Sequence, residues 1–361
     1  MRYFWAILLL ACAAGAQVGP SEFRHAVPGW RFVFPRDHGA HPEFQTEWWY
    51  YTGHLRSKAG RRFGFELTFF RVGIKAGPRA NPWDLRDLAL THFAISDIDG
   101  RKFTYHEKVS RMSPYTAGSA EMGLSLFNEG WSAVTLPDGR WRIRASEKGD
   151  AIDLVLRAVK PPAIHGRDGI SVKGAAEGAA SHYYSMTRLQ AEGTIRTGGV
   201  EQRCAGQAWM DHEFSTSVLG EEQEGWDWFS LQFEDGTELM LYQMRNRDGS
   251  IDRASSGSWI DAQGRVAMLR ADEYAIEPVG RWRSPKSGGV YPMGWRISIP
   301  RMGMRVEVRE EMKDQELVPS SSTGVTYWEG AVTAQGSARG KSVAAKGYVE
   351  MTGYAAPFKL Q

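Results

Sequence analysis

The feature that most constrains this chain is an internal repeat of an aromatic strand, a turn and a second strand. Trp48-Trp49-Tyr50-Tyr51-Thr52-Gly53-His54-Leu55, a turn at Gly60 and Phe65-Glu66-Leu67-Thr68-Phe69-Phe70-Arg71 form the first copy. The shorter counterpart is Trp226-Asp227-Trp228-Phe229-Ser230-Leu231-Gln232-Phe233, a turn at Gly236 and Leu239-Met240-Leu241-Tyr242-Gln243-Met244-Arg245. A second echo follows in the same order. Tyr183-Tyr184-Ser185-Met186, leading to Gly206-Gln207-Ala208-Trp209-Met210-Asp211, parallels Tyr327-Trp328-Glu329-Gly330, leading to Gly347-Tyr348-Val349-Glu350-Met351-Thr352. Two matches in one order make chance similarity the weaker account. They imply two domains, 22–215 and 216–361, with the Ser-Thr-Ser and Glu-Glu-Gln-Glu stretch from Ser215 to Gly225 as a solvated connection.

Periodicity sets the fold class. Arg62-Phe63-Gly64-Phe65-Glu66-Leu67-Thr68-Phe69 and Met304-Arg305-Val306-Glu307-Val308-Arg309 place apolar residues on every second position, as strands with one buried face do. Asp99-Gly100, Asp138-Gly139, Asp235-Gly236 and Asp248-Gly249 close such runs as turns. The 14 Trp, 13 Tyr and 16 Phe amid 40 Gly suit sheets wrapped around a cavity. The expectation is an all-β chain of two antiparallel barrels in tandem, because closure removes aromatic edges and about eight strands leave room for one small ligand. With Lys+Arg at 44 against Asp+Glu at 42 and no basic run, nucleic acid is not an expected partner.

Met1-Arg2, an apolar stretch from Tyr3 to Ala11 and Ala14-Gly15-Ala16 read as a signal peptide over 1–16, and so as a secreted or periplasmic protein. The stretch is far shorter than the roughly 20 residues that span a bilayer, so no transmembrane anchor is expected. A minority reading takes Leu9-Leu10-Ala11-Cys12 as a lipoprotein box, with a lipid anchor on Cys12. Cleavage after Ala16 leaves Cys204 alone, so no intrachain disulfide is available. The nine His show no His-x-x-x-His spacing and there is no Cys-x-x-Cys, so no metal is expected.

Phe34-Pro35-Arg36-Asp37-His38-Gly39-Ala40-His41-Pro42, Thr46-Glu47-Trp48-Trp49-Tyr50-Tyr51-Thr52-Gly53, Trp209-Met210-Asp211-His212-Glu213-Phe214 and Gly225-Trp226-Asp227-Trp228-Phe229 resemble the AttH-like and carotenoid 1,2-hydratase (hydroxyneurosporene synthase) family over nearly the whole mature chain. The resemblance implies two lipocalin-like domains and an apolar ligand. In the hydratase branch it implies addition of water to the terminal double bond of an acyclic carotenoid without a cofactor. That branch carries His-x-Trp and, some thirty residues on, Tyr-x-Asp. Here the matching segments are His212-Glu213-Phe214 and Tyr242-Gln243-Met244, so the acid is replaced by Met244 and the chain departs from that route.

Hydrating an isolated alkene needs a carboxylic acid kept protonated by a dry site, a means of tolerating a tertiary carbocation and a base for the proton of the attacking water. Asp211 or Glu213 is the candidate acid and His212 the candidate base, with Tyr242 the fourth catalytic candidate. Trp48, Tyr50, Trp209, Phe214, Trp226 and Trp228 are the candidate lining, since aromatic faces stabilise cations by about 0.5–2 kcal/mol each. Strand alternation divides the group: Met210, His212 and Phe214 face one way and Trp209, Asp211 and Glu213 the other unless a bulge intervenes. The preferred arrangement joins His212 to Tyr242 on the functional side, with Asp211 or Glu213 as an orienting or inter-domain partner. A hydrogen-bonded histidine at the domain junction is an equal reading of His212. Glu47 reads as a carboxylate that caps amides or pairs with Arg71, and Asp227 as a satisfied buried carboxylate. A Gly-x-Ser-x-Gly elbow is absent, which argues against an α/β-hydrolase-type esterase. Two functions stay open: a cofactor-independent hydratase acting on a polyene or isoprenoid-like molecule, and a periplasmic carrier that binds one.

Overall fold

The computed structural model describes residues 22–78, 81–176, 178–216 and 219–358. The leader 1–16 and Cys12 lie outside the described residues. The chain is all-β and forms two tandem antiparallel sheets, one of 13 strands running from Thr46 to Ser215 and one of 10 strands running from Gln223 to Thr352. The first sheet rolls into a nearly closed barrel whose ends are drawn together by Asn128 donating to Thr91 (2.8 Å), Ser110 donating to Glu129 (3.0 Å) and Lys108 donating to the Glu129 carbonyl (2.7 Å). The second is a curled half-barrel. Among the described residues no helix is long and apolar enough to cross a membrane.

Strand parity explains where the aromatics go. In Thr46–Ser57, Trp49 and Tyr51 turn inward and join Phe63, Phe65, Trp131 and Leu154 in a core that fills the first barrel. The residues between them, Trp48 and Tyr50, turn outward onto the second sheet. Gln223–Phe233 repeats the arrangement: Phe229 and Leu231 enter the second core with Trp295, Ile297 and Trp328, while Trp226 and Trp228 face the first sheet. A third apolar cluster therefore lies on the seam, where Tyr50, Tyr183, Trp209, Trp228, Tyr242 and Tyr348 meet. Contrary to the expectation of a pocket inside a barrel, packed side chains occupy the interiors and the cavity forms between the two sheets.

The repeat is visible in the register. Trp48 lies opposite Phe70, and Trp226 opposite Met244. Tyr50 lies opposite Asp211, and Trp228 opposite Glu350. Asp211 therefore corresponds to Glu350, two positions away from the pairing with Thr352 that the Gly206 and Gly347 echo suggests. The halves dock closely at Gly64, where a Cβ would stand 2.3 Å from the Tyr348 hydroxyl and 2.9 Å from Ala331. Nearby, His54 Nε2 lies 2.8 Å from the Gly347 carbonyl and Ser96 donates to Gln315 (2.7 Å).

Candidate functional site

The seam cavity has an empty volume of about 1260 Å³, its open mouth included. The first sheet contributes Trp48, Tyr50, Glu66, Thr68, Asp211 and Glu213, and the second contributes Trp226, Trp228, Tyr242, Tyr327 and Glu350. Lys173, Thr323, Val325 and Phe358 also line it. The walls are aromatic, yet several carboxyls project from the same strands because they share parity with the outward-facing Trp and Tyr residues.

Those carboxyls have few charges to pair with. Burial lifts Glu66 to about 7 against hydrogen bonds from Thr68 (2.6 Å) and the distant Tyr327 hydroxyl (3.4 Å). Among the described residues its Oε2 has no hydrogen-bond partner. Burial, reinforced by the charge of Glu66, lifts Glu350 to about 8. Glu329, which accepts the Tyr50 hydroxyl at 2.6 Å, is raised well above the usual carboxylate range by burial and then by Glu350 and Glu66. Asp211 is lifted to about 7 by burial, although three donors converge on it: Ser185, the Tyr183 hydroxyl (2.7 Å) and the Trp209 indole (2.6 Å). Burial and like charge in a dry space thus shift these acids together toward the neutral form. Glu213 differs, for it forms an ion pair with Lys173 at 3.0 Å. The Lys173 ammonium also sits 4.2 Å from the Tyr242 ring centre, a cation–π contact. Tyr242 donates to the Val172 carbonyl (3.0 Å).

Of the sequence candidates, the cavity brings together Asp211, Glu213, Tyr242, Trp48, Tyr50, Trp226 and Trp228. Trp209 stands behind Asp211 as its donor. His212 and Phe214 lie on the opposite face of the same strand. Pairing of Thr46–Ser57 with Val200–Ser215 runs unbroken from Thr46 opposite Ser215 to Ser57 opposite Cys204, so no bulge moves His212 to the side of Tyr242. The arrangement that joined His212 to Tyr242 is thereby corrected: Tyr242 shares the cavity with Asp211 and Glu213. His212 Nε2 is 2.8 Å from Glu47, its Nδ1 is 3.0 Å from the Asp37 carbonyl, and its ring stacks on Trp49. Phe214 stacks on His41 with ring centres 3.7 Å apart.

Glu47 anchors that second cluster. Burial alone would raise it, but hydrogen bonds from His212 and His41 and the Arg71 guanidinium (3.0 Å) hold it well below the usual carboxylate range. It also accepts the His41 amide (2.9 Å), so it both caps and pairs as its sequence position suggests. His41, between Asp37 and Glu47, is raised to about 9 against the opposing effect of burial. Ligand atoms of His41, Glu47 and His212 lie within 4.8 Å of one another, a spacing that a divalent ion could use. The Arg71 guanidinium, 3.0 Å from Glu47, puts a fixed positive charge beside these ligand atoms, so the donor set fits a hydrogen-bonded ion network better than a metal centre. Asp227 is satisfied by Arg245 and Tyr354, both at 3.1 Å.

Sequence reasoning passed over Glu66, Glu329, Glu350, Lys173 and Tyr327. Glu66 carried a usable signal: in Phe65-Glu66-Leu67-Thr68 it has the parity that places it beside Tyr50 rather than in the barrel core.

Fold and site together define a class: two antiparallel β-sheet domains in tandem, one a nearly closed barrel and one a curled half-barrel, that share one aromatic cavity on their seam. The chain belongs to the AttH-like family, whose pattern matches residues 25–354. It is similar to an AttH crystal structure from Nitrosomonas europaea, at 33% identity over 92% of this chain and 100% of that one, with a TM-score of 0.82. It is also 19% identical over 276 residues to kievitone hydratase of Fusarium solani subsp. phaseoli, covering 72% of this chain and 73% of the relative. The crystal structure of kievitone hydratase from Nectria haematococca shares the fold at 13% identity, over 94% and 98% of the two chains, with a TM-score of 0.70.

Proposed function

We propose that this protein adds water to a carbon–carbon double bond of an apolar, isoprenoid- or polyene-like molecule held in the seam cavity, without a cofactor, and that it works as an exported protein. One observation carries the reading: Glu66, buried in the lining of an aromatic cavity and raised to about 7, has an Oε2 with no hydrogen-bond partner among the described residues, and the same cavity holds Asp211 in a cradle of three donors. Glu66 gives its proton to one alkene carbon, the π pair forming the new C–H bond. Trp48, Trp226 and Trp228 face the cation that results. Water adds to the cationic carbon and Asp211 takes the released proton, leaving an alcohol; Asp211 then releases that proton to water through the open mouth of the cavity, ready for the next turnover. Both groups are raised to about 7; the acid role goes to Glu66, whose Oε2 has no hydrogen-bond partner among the described residues, and the base role to Asp211, whose three donors support a carboxylate. Lys173, Glu213 and Tyr242 form the polar end that orients the substrate. Proton transfer at the cavity acid contributes about 10²–10⁴-fold to such a reaction.

The test is turnover of prenylated phenols and acyclic polyenes in isotopically heavy water, followed as oxygen incorporation by mass spectrometry. Wild type should label the product and Glu66→Gln should lose about 10²–10⁴-fold in rate while still binding the substrate. Equal rates would remove Glu66 from the chemistry. Tight retention of an apolar ligand with no turnover of any alkene would make the protein a carrier.

A further inference from the structure

We propose that Glu107, Ser322, His92 and Tyr327 form a proton relay that reloads Glu66 from the surface of the protein, an inference that rests on Glu66 being the acid of the seam cavity. A continuous line of hydrogen bonds supports it. The half-buried Glu107 accepts the Ser322 hydroxyl at 2.5 Å. Ser322 Oγ lies 2.7 Å from His92 Nε2, and His92 Nδ1 lies 2.6 Å from the Tyr327 hydroxyl. The Tyr327 hydroxyl lies 3.4 Å from Glu66 Oε1, the longest step and so the slowest. His92 is fully buried and its ring stacks on Tyr327, which fixes both nitrogens toward hydroxyl partners.

The chemistry of each member suits passage. Burial lowers His92 to about 4, so it is neutral and carries one ring proton, the form in which an imidazole hands on one proton while taking another. Burial would raise Glu107, but Ser322 and the amides of Ser320 and Ser321 hold it low, so transfer toward the higher Glu66 runs downhill. After Glu66 has protonated the substrate, Tyr327 gives its proton to the Glu66 carboxylate and takes the Nδ1 proton of His92. His92 takes the Ser322 hydroxyl proton at Nε2, and Ser322 takes one from Glu107, which has been protonated by water. One proton has then moved from solvent to Glu66 and no relay member has changed its charge. His92 ends as the Nε2–H tautomer, so the relay is ready again once the two hydroxyls have rotated and the imidazole has returned to its Nδ1–H form.

Asp211 provides the contrast. Its partner Ser185 meets His165 Nε2 at 2.6 Å, and His165 Nδ1 meets Ser258 at 2.8 Å, where the line stops at a residue 1% exposed. One network is closed and the other opens to water. The open one is also shared, since Glu66, His92 and Glu107 come from the first sheet while Ser322 and Tyr327 come from the second half of the chain, so it exists only when the halves are docked.

The experiment is hydrogen–deuterium exchange of the protonated Glu66 carboxyl, followed by infrared difference spectroscopy on the full chain after transfer to heavy water, with Glu66→Gln assigning the band. Exchange should slow by about tenfold or more in Ser322→Ala and His92→Phe and return in Ser322→Thr. Should His92→Phe fail to fold, the loop variant Ser322→Ala carries the test. Equal exchange in wild type and in a folded Ser322→Ala overturns the relay and leaves Glu66 as the acid. Absence of a protonated Glu66 band at neutral pH overturns both.

Discussion

Glu47 and Asp211 point to opposite faces of one strand pair, Thr46–Ser57 and Val200–Ser215, and the carboxyls gathered around each are shifted in opposite directions. On the barrel side Glu47 and Asp37 are ionised because His41, His212, Arg71 and Arg36 surround them. On the seam side Glu66, Asp211 and Glu350 are pushed toward the neutral form because what surrounds them is aromatic or itself acidic. For Glu47 and Asp211 the difference begins with side-chain parity on paired strands. The lesson is that burial does not fix the state of an acid; its partners do.

The largest effect should come from the ionised side. Glu47→Ala strands Arg71 and two histidines without their shared acceptor, and is expected to lose about 3–5 kcal/mol of stability at neutral pH by denaturant titration. A loss below about 1 kcal/mol would break the contrast by making the cluster neutral. The pH sign also separates the two sides. Glu47 and Asp37 have depressed folded values, so their contribution is present above the unfolded carboxylate pKa and is lost as pH falls through the folded one. His41, raised to about 9, contributes fully below its unfolded value of about 6.5, and that stability drains away as pH rises through about 9.

An intermediate effect of reversed sign is expected on the seam. Glu66 is raised to about 7, so its contribution is fully present below the unfolded carboxylate value of about 4.3 and is lost as pH climbs through about 7. Glu66→Gln should therefore match wild type near pH 4 and exceed it by on the order of 1–3 kcal/mol near pH 8, read as melting curves at the two pH values. A variant less stable than wild type at pH 8 would mean an ionised, partnered Glu66. The smallest effect belongs to the exposed charges across the seam. Arg62 is 39% exposed and reaches Asp99 at 2.8 Å and Glu311 at 3.1 Å, and Arg62→Ala should change stability by less than about 1 kcal/mol. A larger loss would sharpen the comparison by showing that ion pairs, and not only the apolar seam, hold the halves together.

Much of the architecture was legible because alternation and turn residues are local signals: Trp48 and Tyr50 against Trp49 and Tyr51 can be sorted by counting. The same counting separated His212 from Asp211. What it could not supply was the identity of each face, since Trp and Tyr populate the barrel core and the seam alike, and so His212 was grouped with Tyr242. Glu350 and Lys173 were hidden for another reason. Glu350 reaches the cavity only through docking of the second sheet, and Lys173 follows a two-residue strand with little pattern of its own.

The correspondence between Asp211 and Glu350 has a wider consequence. A molecule in this cavity would meet two strands at equivalent places in the repeat, each carrying an acid. A substitution at one of the two places would then change the shape of the cavity while the other acid stays where it is.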